Sequence, residues 1–213
     1  MDKIRGLFNS WAAHGHDEKA EEEHSFAVRK VLSSLAWKDA DSYLDIGCGN
    51  GYTIRFVSKM AGKGRLVGLD FSEKMIEKAK ELSKGTPNAA FVLDDFTGWD
   101  AQGARFDKIF SMEAFYYFQD VASAVKKARR LLNEGGTFAC VVDFYSENKA
   151  SLEWPKPENC GVPMQEFSMA GWKEMFREAG FSRVEQYQLR YPEELAKVKW
   201  QAEVGSLVNI GMD

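Results

Sequence analysis

From Tyr43 onward, short apolar runs alternate with stretches whose apolar residues recur at helical spacing. Tyr43 to Ile46 predicts a strand, Tyr52 to Met60 a helix, and Arg65 to Leu69 a second strand. Ser72 is placed to cap a helix running to Leu82, because its hydroxyl can accept a free backbone N–H. After the break at Pro87, Ala90 to Leu93 and Lys108 to Phe110 predict strands three and four. Asp120 to Leu132 carries apolar residues at helical spacing; Gly135 and Gly136 are expected to end that helix, and Thr137 to Val142 gives strand five. A long connection follows, Asp143 to Phe167, with three prolines but also Phe144, Tyr145, Trp154 and Met164. Such length suggests a functional loop, and its aromatic content argues against disorder. Ser168 then caps a helix from Met169 to Ala179, stopped by Gly180, and Arg183 to Leu189 and Gly205 to Ile210 predict two closing strands.

Strands alternating with helices at this spacing predict βαβ units and a parallel sheet covered on both faces. Right-handed crossovers make that arrangement doubly wound. The N-terminal stretch from Gly6 to Leu35 is polar and mixed. Its charge run, Asp17 to His24, is expected to be a solvated helix face or helix start, and Phe26, Val28, Val31, Leu32 and Leu35 suggest an amphipathic helix after it.

A length of 213 residues favours one domain, and 45% hydrophobic with 13% aromatic residues is enough for a sizeable core. The net charge of −4 provides no long-range attraction for nucleic acid or an anionic membrane, so neither is an expected partner. Lys126 to Arg130 is a basic cluster, but alternating apolar positions make it a solvated helix face. Three cysteines, Cys48, Cys140 and Cys160, form no CxxC pair. That argues against a disulfide framework or a zinc site, suits a reducing cytoplasm, and leaves no metal in the expected site. No signal peptide and no apolar stretch of membrane-spanning length is visible.

The chemistry begins at LDIGCGNG, Leu44 to Gly51, where three glycines alternate at the end of the first strand. Ligands of open α/β sheets bind beyond the carboxyl ends of the strands. No Gly-Lys-Ser/Thr follows, which argues against a nucleoside triphosphate loop. A dinucleotide loop needs a small residue where Tyr52 stands, because helix and strand pack closely there.

The spacing instead resembles the first motif of the class I S-adenosylmethionine-dependent methyltransferases. LVGLDFSEKMIEKAK (Leu66 to Lys80), FVLDDF (Phe91 to Phe96), FDKIFSMEAFYYFQD and ARRLLNEGGTF resemble the later motifs of that family in order and spacing. The likeness covers roughly Tyr43 to Phe181 and is nearest in character to the small-molecule enzymes of ubiquinone and menaquinone biosynthesis. It implies a Rossmann-like, doubly wound, seven-stranded sheet, mostly parallel with an antiparallel closing hairpin; the pattern alone supports five strands. It implies S-adenosylmethionine as cofactor, which has no phosphates and needs close backbone approach, as glycine permits. By the resemblance, Asp45, Gly47, Gly49 and Gly51 hold its amino-acid tail, and Asp70 accepts both ribose hydroxyls. Phe71 and Met75 pack on the adenine, Asp95 or its neighbour Asp94 accepts from the exocyclic amine, Phe96 offers its backbone N–H, and Met112 completes the set.

The methyl acceptor is harder to read. No N/D-P-P-Y/F/W stretch follows strand four, which in that family lowers the case for adenine or glutamine methylation. Met112 to Phe118 and Asp143 to Asn148 mix aromatics with acids, a composition suited to an apolar or cationic small molecule. His24 is the leading candidate for a general base, because it precedes the amphipathic helix and can face inward; Glu113 and Tyr117 follow. Residues 1–40 are expected to form a helical lid, and 41–213 the methyltransferase domain, within one structural domain that is monomeric or homodimeric. The expected function is in-line methyl transfer to a small-molecule acceptor. The alternatives are a non-catalytic cofactor-binding protein, an atypical dinucleotide oxidoreductase, and a protein or RNA methyltransferase.

Overall fold

The computed structural model describes residues 2–213. Two N-terminal helices, α1 (Asp2–His14) and α2 (His16–Ser34), precede an alternating series. That series runs β1 (Tyr43–Ile46), α3 (Tyr52–Val57), β2 (Leu66–Asp70), α4 (Glu73–Leu82), β3 (Ala89–Leu93) and β4 (Phe106–Met112). It continues through α5 (Val121–Arg130), β5 (Leu132–Val142), α6 (Met169–Glu178), β6 (Arg183–Leu189), α7 (Lys199–Glu203) and β7 (Ser206–Met212). The seven strands form one sheet in the order β3-β2-β1-β4-β5-β7-β6. Strands β1 to β5 pair in parallel, while β7 runs antiparallel to both β5 and β6. This is the Rossmann-like sheet with a closing hairpin that the motif order implied.

Strand alternation divides the core between the two faces. On β5, Phe138 and Cys140 join Ile109, Trp172 and Phe176 on one face. Ala139 and Val141 join Val28, Leu32 and Phe110 on the other. Two caps fall where the sequence placed them: Ser72 accepts from Met75 N–H and Ser168 from Gly171 N–H. Asp120, expected as the first residue of its helix, is the cap before α5 and accepts from Ser123 N–H.

Three expectations need correction. Helix α5 stops at Arg130 rather than running on to a glycine stop, and Leu132 already pairs with Phe106. Gly135 and Gly136 therefore lie inside β5, beside the register shift opposite Phe106 and Lys108, and not at the helix end. The basic cluster of α5 is only partly a solvated face: Lys127 donates to the carbonyls of Phe96, Thr97 and Trp99 and fastens the β3–β4 connection. The charge run is likewise two-faced. Asp17 is only 5% exposed, because positions 17, 21 and 24 form one stripe of α2 turned toward the sheet.

Candidate active site

A cavity of about 390 Å³ opens at the carboxyl ends of β1, β2 and β4. The glycine loop forms its floor. Gly47, Gly49 and Gly51 all hold φ between +52° and +79°, a region that L side chains rarely adopt. A Cβ on Gly47 would stand 2.5 Å from Ala114 Cβ, so this turn requires bare backbone. A Cβ on Gly49 would meet nothing within 4 Å, on the cavity side. That is the cradle the cofactor needs.

Asp70 ends β2 beside this loop. One carboxylate oxygen accepts from Gly49 N–H and the other from Ser72 N–H, each at 2.9 Å. The side chain also lines the cavity, and a carboxylate's two acceptor oxygens suit two vicinal hydroxyls. Burial raises the Asp70 carboxyl to about 6, against the opposing pull of the three backbone N–H groups of Ser72, Gly49 and Phe71. Asp45 lies deeper and is raised to about 7, first by burial, then by the Asp70 charge, with the Thr53 hydroxyl opposing. Thr53 donates to Asp45, a partner the sequence reading did not name. Phe71, Met75, Asp94, Asp95, Phe96 and Met112 all line the same cavity. One Asp95 oxygen is already engaged by the Thr97 N–H and hydroxyl.

All three candidate catalytic residues also reach this cavity. His24 arrives from α2; its side chain keeps 20% exposure, and burial lowers its pKa to about 4. It is thus a neutral imidazole and a weak base. Glu113 follows β4 with φ of +57°, an uncommon conformation for a non-glycine residue. Its carboxylate accepts from Asp143 N–H and, at 2.7 Å, from the Tyr116 hydroxyl. Burial and the neighbouring Asp143 charge hold Glu113 well above the usual carboxyl range. Burial likewise pushes the Tyr117 phenol far upward, so Tyr117 is a hydrogen-bond donor rather than a base. His14 and His16 do not line the cavity: His14 bonds the Ser10 carbonyl, and His16 stacks near Trp11.

The roof is built by the N-terminal helices and the long connection after β5. Phe8 of α1 packs edge-on to both Phe71 and Tyr117, which joins the cofactor side to the far wall. Asn9 accepts from the Ser72 hydroxyl and donates to Glu73, pinning α1 to the start of α4. Asn50 of the glycine loop donates to Asp17 and Glu21 of α2, both at 3.0 Å. Trp154 and Cys160 of the long connection and Trp200 of α7 complete the far wall. No lysine or arginine lines the cavity among the described residues.

A family model described as a methyltransferase domain matches residues 38–180. The chain belongs to that family and is a class I S-adenosylmethionine-dependent methyltransferase. The methyltransferase is 30% identical to a chain of about its own length in the solved complex between the Haloferax volcanii Trm112 methyltransferase activator and a methyltransferase. That match has a TM-score of 0.86 over 96% of each chain. The demethylmenaquinone methyltransferase of Staphylococcus aureus (strain JH9) is 24% identical over 189 residues, covering 76% of this chain and 77% of that one. The 1,6-didemethyltoxoflavin-N1-methyltransferase of Burkholderia thailandensis, solved with its acceptor and S-adenosylhomocysteine, shares the fold. Its TM-score is 0.71 at 19% identity, covering 100% of this chain and 88% of that one. The cofactor is S-adenosylmethionine, and the bare backbone at Gly49 with the cavity-lining carboxylate of Asp70 fits it. Among the described residues, no helix is long and apolar enough to cross a membrane.

Proposed function

We propose that this methyltransferase transfers the methyl group to a small-molecule acceptor held inside the cavity. One observation carries the reading: the cavity that holds the glycine loop is also lined by Phe8, Trp11, Tyr117, Trp154 and Trp200 together with His24 and Glu113. A lining of this kind surrounds a small ligand, and its lack of lysine and arginine gives no purchase to a polyanion. S-adenosylmethionine supplies an activated sulfonium methyl; the chain's own task is alignment and exclusion of water.

Asp70 and Asp45, with Gly47, Gly49 and Gly51, hold the cofactor's sugar and amino-acid ends, while Phe71, Met75, Phe96 and Met112 enclose the adenine side. Asp95 reads the exocyclic amine through its unengaged oxygen. Tyr117 donates a hydrogen bond to the acceptor, and His24 and Glu113 line the acceptor end of the cavity. Residues 1–40 act as a lid, tethered by Asn9 to α4 and through Asp17 and Glu21 to Asn50. The three free cysteines suit a cytoplasmic setting.

The test is calorimetric titration with S-adenosylmethionine, S-adenosylhomocysteine and NAD in parallel, followed by a screen of small acceptors. Binding of the two sulfur nucleosides without NAD, and turnover of a small molecule, is the expected result. Turnover confined to protein or RNA substrates would overturn the acceptor assignment.

A further inference from the structure

We propose that His24, Glu113 and Asp143 form a binding site for one divalent transition-metal ion of the zinc or manganese type, at the inner end of the cavity. The three residues come from α2, the end of β4 and the end of β5, and each offers a ligand atom within 4.8 Å of the others. His24 Nε2 stands 3.9 Å from Asp143 Oδ2. Around an ion with bonds of about 2.1 Å, ligand atoms sit roughly 3.0 to 4.2 Å apart, so the cluster needs side-chain shifts below about 1 Å to close.

The chemistry of the cluster calls for a cation. Asp143 is fully buried, and neither of its carboxylate oxygens has a hydrogen-bond partner among the described residues. The Ser206 hydroxyl stands near it, out of hydrogen-bonding geometry, and offsets only part of its burial. The amide oxygen of Asn148, whose nitrogen bonds the Asp143 carbonyl, is also without a donor. Buried polar groups are nearly always satisfied, so an orphaned carboxylate beside a second carboxylate and an imidazole marks a missing positive charge. Glu113 is held in place for such a role: the Asp143 N–H and the Tyr116 hydroxyl fix its two oxygens, as outer partners orient metal-ligating carboxylates.

The donor set selects the ion. Two carboxylates and an imidazole suit zinc, manganese or iron; the nitrogen disfavours magnesium and calcium, and the absence of a thiolate disfavours copper(I). An acceptor's ammonium group is the competing occupant. Asp143 is closed off behind His24 and Glu113 and does not itself line the cavity, so a bare ion reaches it where a substituted ammonium does not. The sequence showed no such site, because the ligands lie at positions 24, 113 and 143 with no local spacing to read. An ion here keeps its open positions toward the cavity. There it would polarise an acceptor oxygen, a consequence that rests on the small-molecule reading, whereas ion binding itself does not.

The experiment uses the full chain stripped with chelator. It is titrated with zinc by calorimetry and with manganese by electron paramagnetic resonance, and each variant's S-adenosylhomocysteine affinity serves as the control for folding. One ion per chain is expected, with affinity reduced about tenfold or more in His24→Ala and in Asp143→Asn. If the buried Asp143→Asn variant does not fold, the partly exposed His24→Ala decides the matter. Absence of saturable binding by either ion, or binding that His24→Ala leaves unchanged, would overturn the site. Ion binding without small-molecule turnover would strike the acceptor assignment and leave the site standing.

Discussion

Removing the Asp70 carboxylate tests how the cofactor is held. In the folded chain this side chain already accepts Gly49 N–H and Ser72 N–H, so it shapes the glycine loop in addition to its proposed contact with the ribose. Hydrogen bonds to a charged group contribute about 1.5–3 kcal/mol each, but the carboxyl is raised to about 6 by burial, which shows that holding the charge is itself unfavourable. Part of each bond's gain is therefore offset. Asp70→Ala is expected to weaken S-adenosylmethionine binding by about 1–3 kcal/mol, or roughly 5- to 150-fold. Calorimetry near neutral pH reads this directly, and thermal unfolding monitors the loop's lost partners. Asp70→Asn is a sharper companion, because its amide nitrogen would confront one of the two backbone N–H groups. Cofactor affinity within about twofold of wild type in both variants, with normal unfolding, would refute the placement of Asp70 at the ribose.

His24→Ala is expected to lower turnover while cofactor affinity stays within about threefold, since His24 lines the cavity from α2 and is not among the proposed cofactor-holding residues; kcat and calorimetry together check this. Gly47→Ala combines a left-handed backbone with a 2.5 Å approach to Ala114 Cβ, and should destabilise the fold by about 2–4 kcal/mol in denaturant titration. Asn9→Ala should loosen α1 and speed hydrogen exchange over residues 2–14, because it removes the tie to Ser72 and Glu73. The folded-state values of Asp45, about 7, and Asp70, about 6, lie above the usual 3.8, so the folded chain binds more protons than the unfolded chain across that window. Their contribution to the stability of the ligand-free protein therefore falls as pH rises through it, while cofactor affinity rises as the carboxylates ionise; the ligand-free melting temperature should drop between about pH 5.5 and 8, and the increase conferred by S-adenosylhomocysteine should be larger at pH 8.

What the sequence revealed was local. The glycine loop, Asp70 and the Ser72 cap lie within a few residues of the turns they serve, so motif spacing sufficed to place them. The strands were legible because their apolar runs were flanked by turn residues. The misreadings share a cause: contacts between distant segments overrode local pattern. The charges from Asp17 to Glu23 predict a solvated face, yet Asp17 and Glu21 share one helical stripe with the inward-facing His24 and meet Asn50 and the cavity. Thr53, Asn9 and Asp143 carry no motif, and each matters only through a partner brought in by the fold. The glycine pair at 135 and 136 looked like a helix stop, but the need of Phe106 for a strand partner drew Leu132 into the sheet first.

The central claim is that the methyl group goes to a small molecule inside the cavity. Its most direct test incubates the protein with radiolabelled S-adenosylmethionine and extract of its source cells, then separates the products by size. Label is expected in the small-molecule fraction and is expected to be lost in the Asp70→Ala variant. Label confined to protein or RNA would contradict that claim.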